Sequence, residues 1–219
     1  MHSEPVAALR IAIMAKAPVP GLAKTRLAPA LGGKGAAALA ERLLRHAAAQ
    51  AAGAAPGRVT LWTAPDATHP VFADLAQQHG LALAVQLATP DLGARMATVF
   101  AAAFADSTGP LLLMGSDIPA LDSATLQRAA AALQEHAAVF VPALDGGYAL
   151  VGLRHDAEAR HPGLHAALFQ AMVWSTSSVM AQTRARLAAL GVRAAELPAV
   201  PDIDEPADLA HLPPGWRAR

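Results

Sequence analysis

The sequence contains no cysteine, which removes disulfides, thiolate metal sites and a cysteine nucleophile in one step. It has no excess of either charge. Seventeen Lys and Arg stand against 17 Asp and Glu, so no global field draws the chain to nucleic acid or to an anionic membrane. Any anion site has to be built locally. Long hydrophobic runs are missing as well, the apolar stretches falling far short of the roughly 20 residues that span a bilayer. Residues 1–9 hold no basic segment followed by an apolar run, so no secretory signal is expected and the cytoplasm is the expected location. Charged side chains are scarce at 16%, and the 54% hydrophobic share is swollen by alanine, a compositional bias rather than the mark of a special fold.

A chain of 219 residues can bury most of its apolar surface in one core, and nothing in it reads as a linker. One domain is expected over 9–212, with flexible ends at 1–8 and 213–219. Short, nearly continuous apolar segments at 10–15, 58–63, 81–87, 110–114 and 137–142 have the character of strands buried on both faces. Helical patterns fill 34–52, 71–79, 92–105 and 123–135, the last capped by Asp122 or Ser123. Gly53, Gly80 and Gly109 fall where helices should stop. A further strand is expected at 146–153, a helix carrying Val179, Thr183 and Leu187 after it, and a last short strand at 193–197. Alternation of this kind predicts an α/β fold: a Rossmann-like, mostly parallel sheet with helices on both faces. In such sheets ligands bind beyond the carboxyl ends of the strands, so the residues that follow each strand are the ones to examine.

After the first strand come Lys16, Lys24 and Arg26, in a turn stiffened by Pro18, Pro20 and Gly21. Stiff loops that offer cations and free N–H groups suit phosphate, because fixed donors need little reordering. Lys24-Thr25 could end a P-loop, but the glycines that motif requires fall at Pro18 and Ala23, so the P-loop is excluded. No GxGxxG follows any strand either. After the fourth strand, Asp117 (GSDIP, 115–119) stands at a frequent place for a divalent-metal ligand, although an Asx turn would use the same side chain. After the fifth, Asp145-Gly146-Gly147-Tyr148 reads as an ordinary hairpin turn, whose paired glycines would also let backbone approach a ligand closely. Near the C-terminus Asp202, Asp204, Glu205 and Asp208 crowd together. Asp204 could cap a helix starting at Pro206, or Asp202 or Asp204 could supply a second carboxylate to a metal held by Asp117. Ser175, Thr176, Ser177 and Ser178 could bind an acceptor or cap the helix that follows.

Taken in order, AKAPVPGLAKTRL (15–27), DLGARM (91–96), GSDIPAL (115–121), DGGYALVGL (145–153), WSTSSV (174–179) and DIDEPADL (202–209) resemble a bacterial family of predicted glycosyltransferases. Members have the glycosyltransferase-A fold, and some sit beside arsenosugar-biosynthesis genes. The same fold serves nucleotidyltransferases that make molybdopterin cofactors, phospholactate-guanosine diphosphate and sugar nucleotides. The resemblance spans about 9–210. It implies a donor side formed by Ala15, Lys16, Pro18, Gly21, Lys24, Thr25, Arg26, Asp91 and Arg95, and Mg²⁺ or Mn²⁺ held by Asp117 and Asp204. Gly146, Gly147, Tyr148, Trp174, Ser175 and Thr176 would line the acceptor side. Asp117 and Asp145 would be catalytic, Asp145 as the general base of an inverting reaction. The expected partners are a nucleotide or nucleotide-sugar donor and a small acceptor. The expected reaction is sugar transfer, with nucleotidyl transfer, or binding without turnover, as the alternatives. Many sugar transferases of this fold carry Asp-x-Asp where this chain has Ser116-Asp117-Ile118, which leans toward metal binding in the nucleotidyltransferase manner.

Overall fold

Strands that are apolar on both faces have to be covered on both, and that requirement shapes the molecule. The computed structural model describes residues 8–216. Its elements are β1 (Arg10–Lys16), α1 (Ala28–Ala54), β2 (Val59–Ala64), α2 (Pro70–His79), β3 (Ala82–Val85), α3 (Leu92–Asp106), β4 (Leu111–Gly115) and α4 (Ser123–Ala132). They continue with β5 (Ala138–Pro142), β6 (Tyr148–Leu153), α5 (Ala157–Arg160), α6 (Leu164–Phe169), α7 (Val179–Ala189) and β7 (Ala195–Glu196). Short 3₁₀ turns lie at Thr25–Leu27 and Pro206–His211.

The strands form one sheet in the order β3-β2-β1-β4-β6-β5-β7. β1 pairs in parallel with β2 and with β4, β2 with β3, and β5 with β7. Only β6 runs against its neighbours among these strands. The tight turn between β5 and β6 returns the chain at once, and a parallel partner would have needed a crossover helix there. One core face packs sheet residues such as Ile13, Leu61 and Val141 against Leu44, Phe72 and Leu126 of α1, α2 and α4. The opposite face packs Leu113, Phe140 and Val151 against Phe100, Leu168 and Leu187 of α3, α6 and α7.

All seven expected strands are present, within a few residues. Gly80 ends α2 in the left-handed region at φ 65°, as its position predicts. Two other glycines do not stop helices. Gly53 lies inside α1, where a Cβ would stand 2.8 Å from Ser123 Oγ, so it permits close packing of α1 on α4. α3 already ends at Asp106, ahead of Gly109. α1 is interrupted at Gly32 (φ 70°, ψ 162°), and regular helix follows close to the expected start. Of the end segments 1–8 and 213–219, residues 1–7 and 217–219 lie outside the described residues. Trp216 packs with Leu27, Leu39, Leu43, Ile203 and Leu212 in a small third cluster, and the Arg42 guanidinium lies 4.5 Å from its ring centroid. Among the described residues no helix is long and apolar enough to cross a membrane.

Candidate active site

The strand order reverses beside β1, which has β2 on one side and β4 on the other. That reversal opens a crevice at the carboxyl ends of the strands. The loops after β1, β3, β4 and β5 all reach this edge.

Ile203 explains how the distant acids arrive there. It is fully buried in the third cluster, and its N–H donates to the Asp117 carbonyl at 3.2 Å. Extended chain on either side of a buried residue turns its neighbours the other way, so Asp202 and Asp204 face the crevice. Asp208 completes the turn, its Oδ2 accepting from the N–H groups of Asp204 (3.0 Å) and Glu205 (2.6 Å). Asp204 is therefore not the helix cap. Asp208 secures this segment, and the Asp204 side chain is left for other contacts.

Those contacts are with the first loop. Lys24 Nζ lies 2.7 Å from Asp117 Oδ2 and 3.4 Å from Asp204 Oδ1, its side chain only 8% exposed. Arg26 Nη1 meets Asp204 Oδ2 at 2.8 Å. Lys16 ends β1 in an exposed position and has no ion-pair partner among the described residues. Lys24 adopts the left-handed region (φ 50°, ψ 40°), where a non-glycine residue carries some strain. Pro18, which is buried, and exposed Gly21 (φ 81°) shape the turn but stand outside the cavity walls.

Two adjoining cavities meet at Asp117 and Asp204. The larger, about 490 Å³, is lined by Ala15, Lys16, Lys24, Thr25, Arg26 and Arg95, with Gln86 and Ser116. The smaller, about 320 Å³, is lined by Asp145, Gly147, Tyr148, Trp174, Ser175, Thr176 and Asp202. The expected donor and acceptor residues thus separate into two compartments with the acid pair between them. Asp91 stands outside both: its Oδ1 accepts from the N–H groups of Gly93 and Ala94 and caps α3. Gly146 also stands outside. At φ 92° it lies so close to the Ser177 carbonyl that any Cβ would overlap it. The serines after Trp174 supply no side-chain cap to α7. Thr176 Oγ1 instead bonds the Val173 carbonyl at 2.9 Å.

Gln86 is a site residue that the sequence patterns do not flag. It is buried just past β3, and its Nε2 donates to the Ala15 carbonyl at 3.2 Å and the Trp62 carbonyl at 2.9 Å. Its Oε1 accepts from Arg95 Nη1 at 3.1 Å. A glutamine closing an otherwise apolar strand was the signal available. Asp202 is the other, considered from the sequence only as a metal ligand. Burial first, and then the charge of Asp145, push its carboxyl up to about 6, with smaller contributions from Asp117 and Asp208. The Tyr148 phenol is pushed up by burial, and its ring meets that of Trp174 edge-on at 6.2 Å. Asp145 Oδ1 accepts from the Gly147 N–H at 2.8 Å, and the residue lines the smaller cavity.

The acid pair fits a hard divalent cation in one respect: two carboxylates already converge on a single positive group. Among the described residues no cluster of three or more His, Asp or Glu is arranged for a metal. A cation held here would need further oxygens from water or phosphate, the usual situation for magnesium.

Comparison with known proteins gives a family and a fold. Residues 41–176 match the model of a family described as an uncharacterized protein conserved in bacteria, DUF2064. No curated protein matches the chain. A protein of Desulfovibrio desulfuricans, assigned provisionally as a nucleotide-diphospho-sugar transferase, is 29% identical with a TM-score of 0.73, over 90% of this chain and 82% of that one. A cytidylyltransferase from Leptospira borgpetersenii shares the fold at 13% identity and a TM-score of 0.58, over 92% and 83% of the two chains. So does a CMP:2-keto-3-deoxy-manno-octonic acid synthetase complexed with CTP, at 16% identity and a TM-score of 0.54, over 94% and 96%.

Proposed function

Starting from the fact that the chain belongs to the bacterial family DUF2064 and has the fold of nucleotide-diphospho-sugar transferases, we propose that it transfers a sugar from a nucleotide diphosphate sugar to a small hydroxylated acceptor. The observation that carries this reading is the division of the crevice. A compartment walled by cations and a compartment walled by Tyr148 and Trp174 meet at Asp117 and Asp204.

In this reading Lys16, Arg26 and Arg95, which line the larger cavity, receive the diphosphate of the donor. Electrostatic stabilisation of a departing nucleoside diphosphate by fixed cations is often the largest catalytic contribution. Asp117 and Asp204 would hold Mg²⁺ or Mn²⁺, which supplies neutralising charge on the diphosphate oxygens. Tyr148 and Trp174 offer an apolar wall to the acceptor, and Ser175 and Thr176 offer polar edges that orient it. Asp145 and Asp202 are the carboxylates positioned to accept the acceptor's hydroxyl proton. Burial pushes the Asp202 carboxyl up to about 6, which suits a general base.

Nucleotidyl transfer is the second reading. The observation in its favour is that Asp117 is the one acid of its turn and finds its partner far along the chain, at Asp204. A thermal-shift panel of UDP-sugars, GDP-sugars, CTP and GTP, each with and without Mn²⁺, separates the two by mass action. Sugar transfer requires stabilisation by a nucleotide diphosphate sugar and turnover without pyrophosphate. Release of pyrophosphate from a triphosphate would replace it with nucleotidyl transfer. If Asp117→Ala kept its Mn²⁺-dependent stabilisation, the assignment of the acid pair would be wrong.

A further inference from the structure

Two lysines of one loop are in opposite states. Lys16 reaches the larger cavity with no acidic partner among the described residues, whereas Lys24 is spent: its ammonium lies between Asp117 and Asp204, at 2.7 and 3.4 Å, in a largely buried position. A divalent ion held by the same two oxygens would occupy that point. An ammonium and a dication cannot share it, since the repulsion acts at contact distance in a half-buried setting.

The geometry points to Lys24 as an internal cation that keeps the acid pair closed to metal until phosphate arrives. This rests on the proposed phosphate and metal roles of the site. Lys24 has a long flexible stem and lines the larger cavity as well as contacting the acids. A diphosphate entering beside Lys16 gives the Lys24 ammonium a second anion to move to, and the vacated carboxylates then accept the divalent ion. Neither exchange is favourable alone. Moving Lys24 without a metal leaves Asp117 without its cation and Asp204 with Arg26 alone, and bringing in the metal without phosphate expels a buried ammonium with no anion to meet. Metal and diphosphate therefore bind as a coupled pair, each raising the affinity for the other, as linkage requires.

The test is Mn²⁺ binding, read as free Mn²⁺ by electron paramagnetic resonance on the full chain. Wild type, Lys24→Met and Lys24→Arg are titrated with Mn²⁺ alone, and again with UDP and with GDP present. With Mn²⁺ alone, Lys24→Met should bind on the order of tenfold more tightly than wild type, within the usual range of coupling between sites. Lys24→Arg, which keeps the positive charge, should bind as weakly as wild type. In the double variant Lys24→Met with Asp117→Asn the gain should vanish. Equal affinity of Lys24→Met and wild type for Mn²⁺ alone would overturn the inference, as would a gain that survives loss of Asp117. Circular dichroism checks that each variant folds, and Lys24→Gln reads the same quantity if the methionine variant does not. Mn²⁺ that binds no variant, even with nucleotide, would bring down the metal assignment itself. Binding with nucleotide but no gain in Lys24→Met would bring down only the exchange.

Discussion

The carboxamide of Gln86 holds Arg95 in place: its Oε1 accepts from Arg95 Nη1 at 3.1 Å while its Nε2 is occupied by the carbonyls of Ala15 and Trp62. Because two backbone carbonyls fix which end of the amide is the donor, the oxygen has to face Arg95, and β1, β2 and α3 are tied together at one buried point. Gln86→Leu should therefore act twice. Unpairing the two carbonyls costs about 1–3 kcal/mol, which lowers the melting temperature by roughly 2–4 °C per kcal/mol in a domain of this size. The released Arg95 should also reduce stabilisation by nucleotide. Arg95→Ala should reduce nucleotide stabilisation comparably with a smaller fall in the ligand-free melting temperature. Differential scanning fluorimetry with and without ligand gives all four values, and full ligand response in Gln86→Leu would refute the link.

Gly146 and Ser177 make the second close approach at the site. Gly146→Ala has to accommodate a Cβ against the Ser177 carbonyl and also to hold φ 92°. Gly163 offers a control, since it has a similar φ of 89° and nothing within 4 Å of a built Cβ. Its alanine variant should lose only the cost of a left-handed backbone, about 1 kcal/mol. Gly146→Ala should lose more, and the difference measures the contact between the β5–β6 turn and the Trp174–Ser178 loop. Urea denaturation reads both. Equal losses would mean that the loop yields freely.

Much of the fold was legible because buried parallel strands write themselves as unbroken apolar runs, and all of the main strands and long helices stand where those runs fall. What was not legible depends on contacts between distant segments. Gly53 looks like a helix stop, but its role is set by Ser123 on another helix. Asp91 has the same local signature whether it caps α3 or contacts a ligand, and the cap is what the chain uses. In the site, the loaded first loop and Asp117 were visible from position after a strand. The approach of Asp204 depends on Ile203 entering a cluster built from α1 and the C-terminal segment, which no local pattern states. Gln86 was hidden for the opposite reason. It is a single polar residue in an apolar stretch, and its significance lies wholly in partners from β1, β2 and α3.

Asp208 supports the site without reaching either of its two main cavities. By accepting from the N–H groups of Asp204 and Glu205 it fixes the turn from which the Asp204 carboxylate extends. Asp208→Ala should cost about 1 kcal/mol, as loss of a capping side chain does. It should also weaken the Lys24 and Arg26 contacts of Asp204 by leaving the segment looser. In the Mn²⁺ titration with nucleotide present, the variant should bind several-fold more weakly than wild type, while Asp208→Asn, which keeps an acceptor oxygen, recovers part of the loss. Unchanged binding in Asp208→Ala would show that Ile203 alone positions Asp204.

Asp202 should make stability depend on pH in the sense opposite to that of a salt-bridged acid. Burial and the neighbouring charges of Asp145, Asp117 and Asp208 push its carboxyl up to about 6 in the folded protein, against about 3.9 in an unfolded chain. The folded state then holds a proton that the unfolded state releases, so the native state gains stability as pH falls from 7 through 6 toward 4 and loses it on the way back. Asp202→Asn carries no charge at any pH and removes this dependence. Its melting temperature should exceed that of wild type at pH 7.5, and the gap should narrow as pH falls to 5. Carboxylates remote from the site contribute equally to both curves, so the difference reports Asp202 together with its coupling to Asp145, Asp117 and Asp208. A gap that stayed constant across this range would mean that the residue ionises normally, which would also remove the protonation argument for Asp202 as a base.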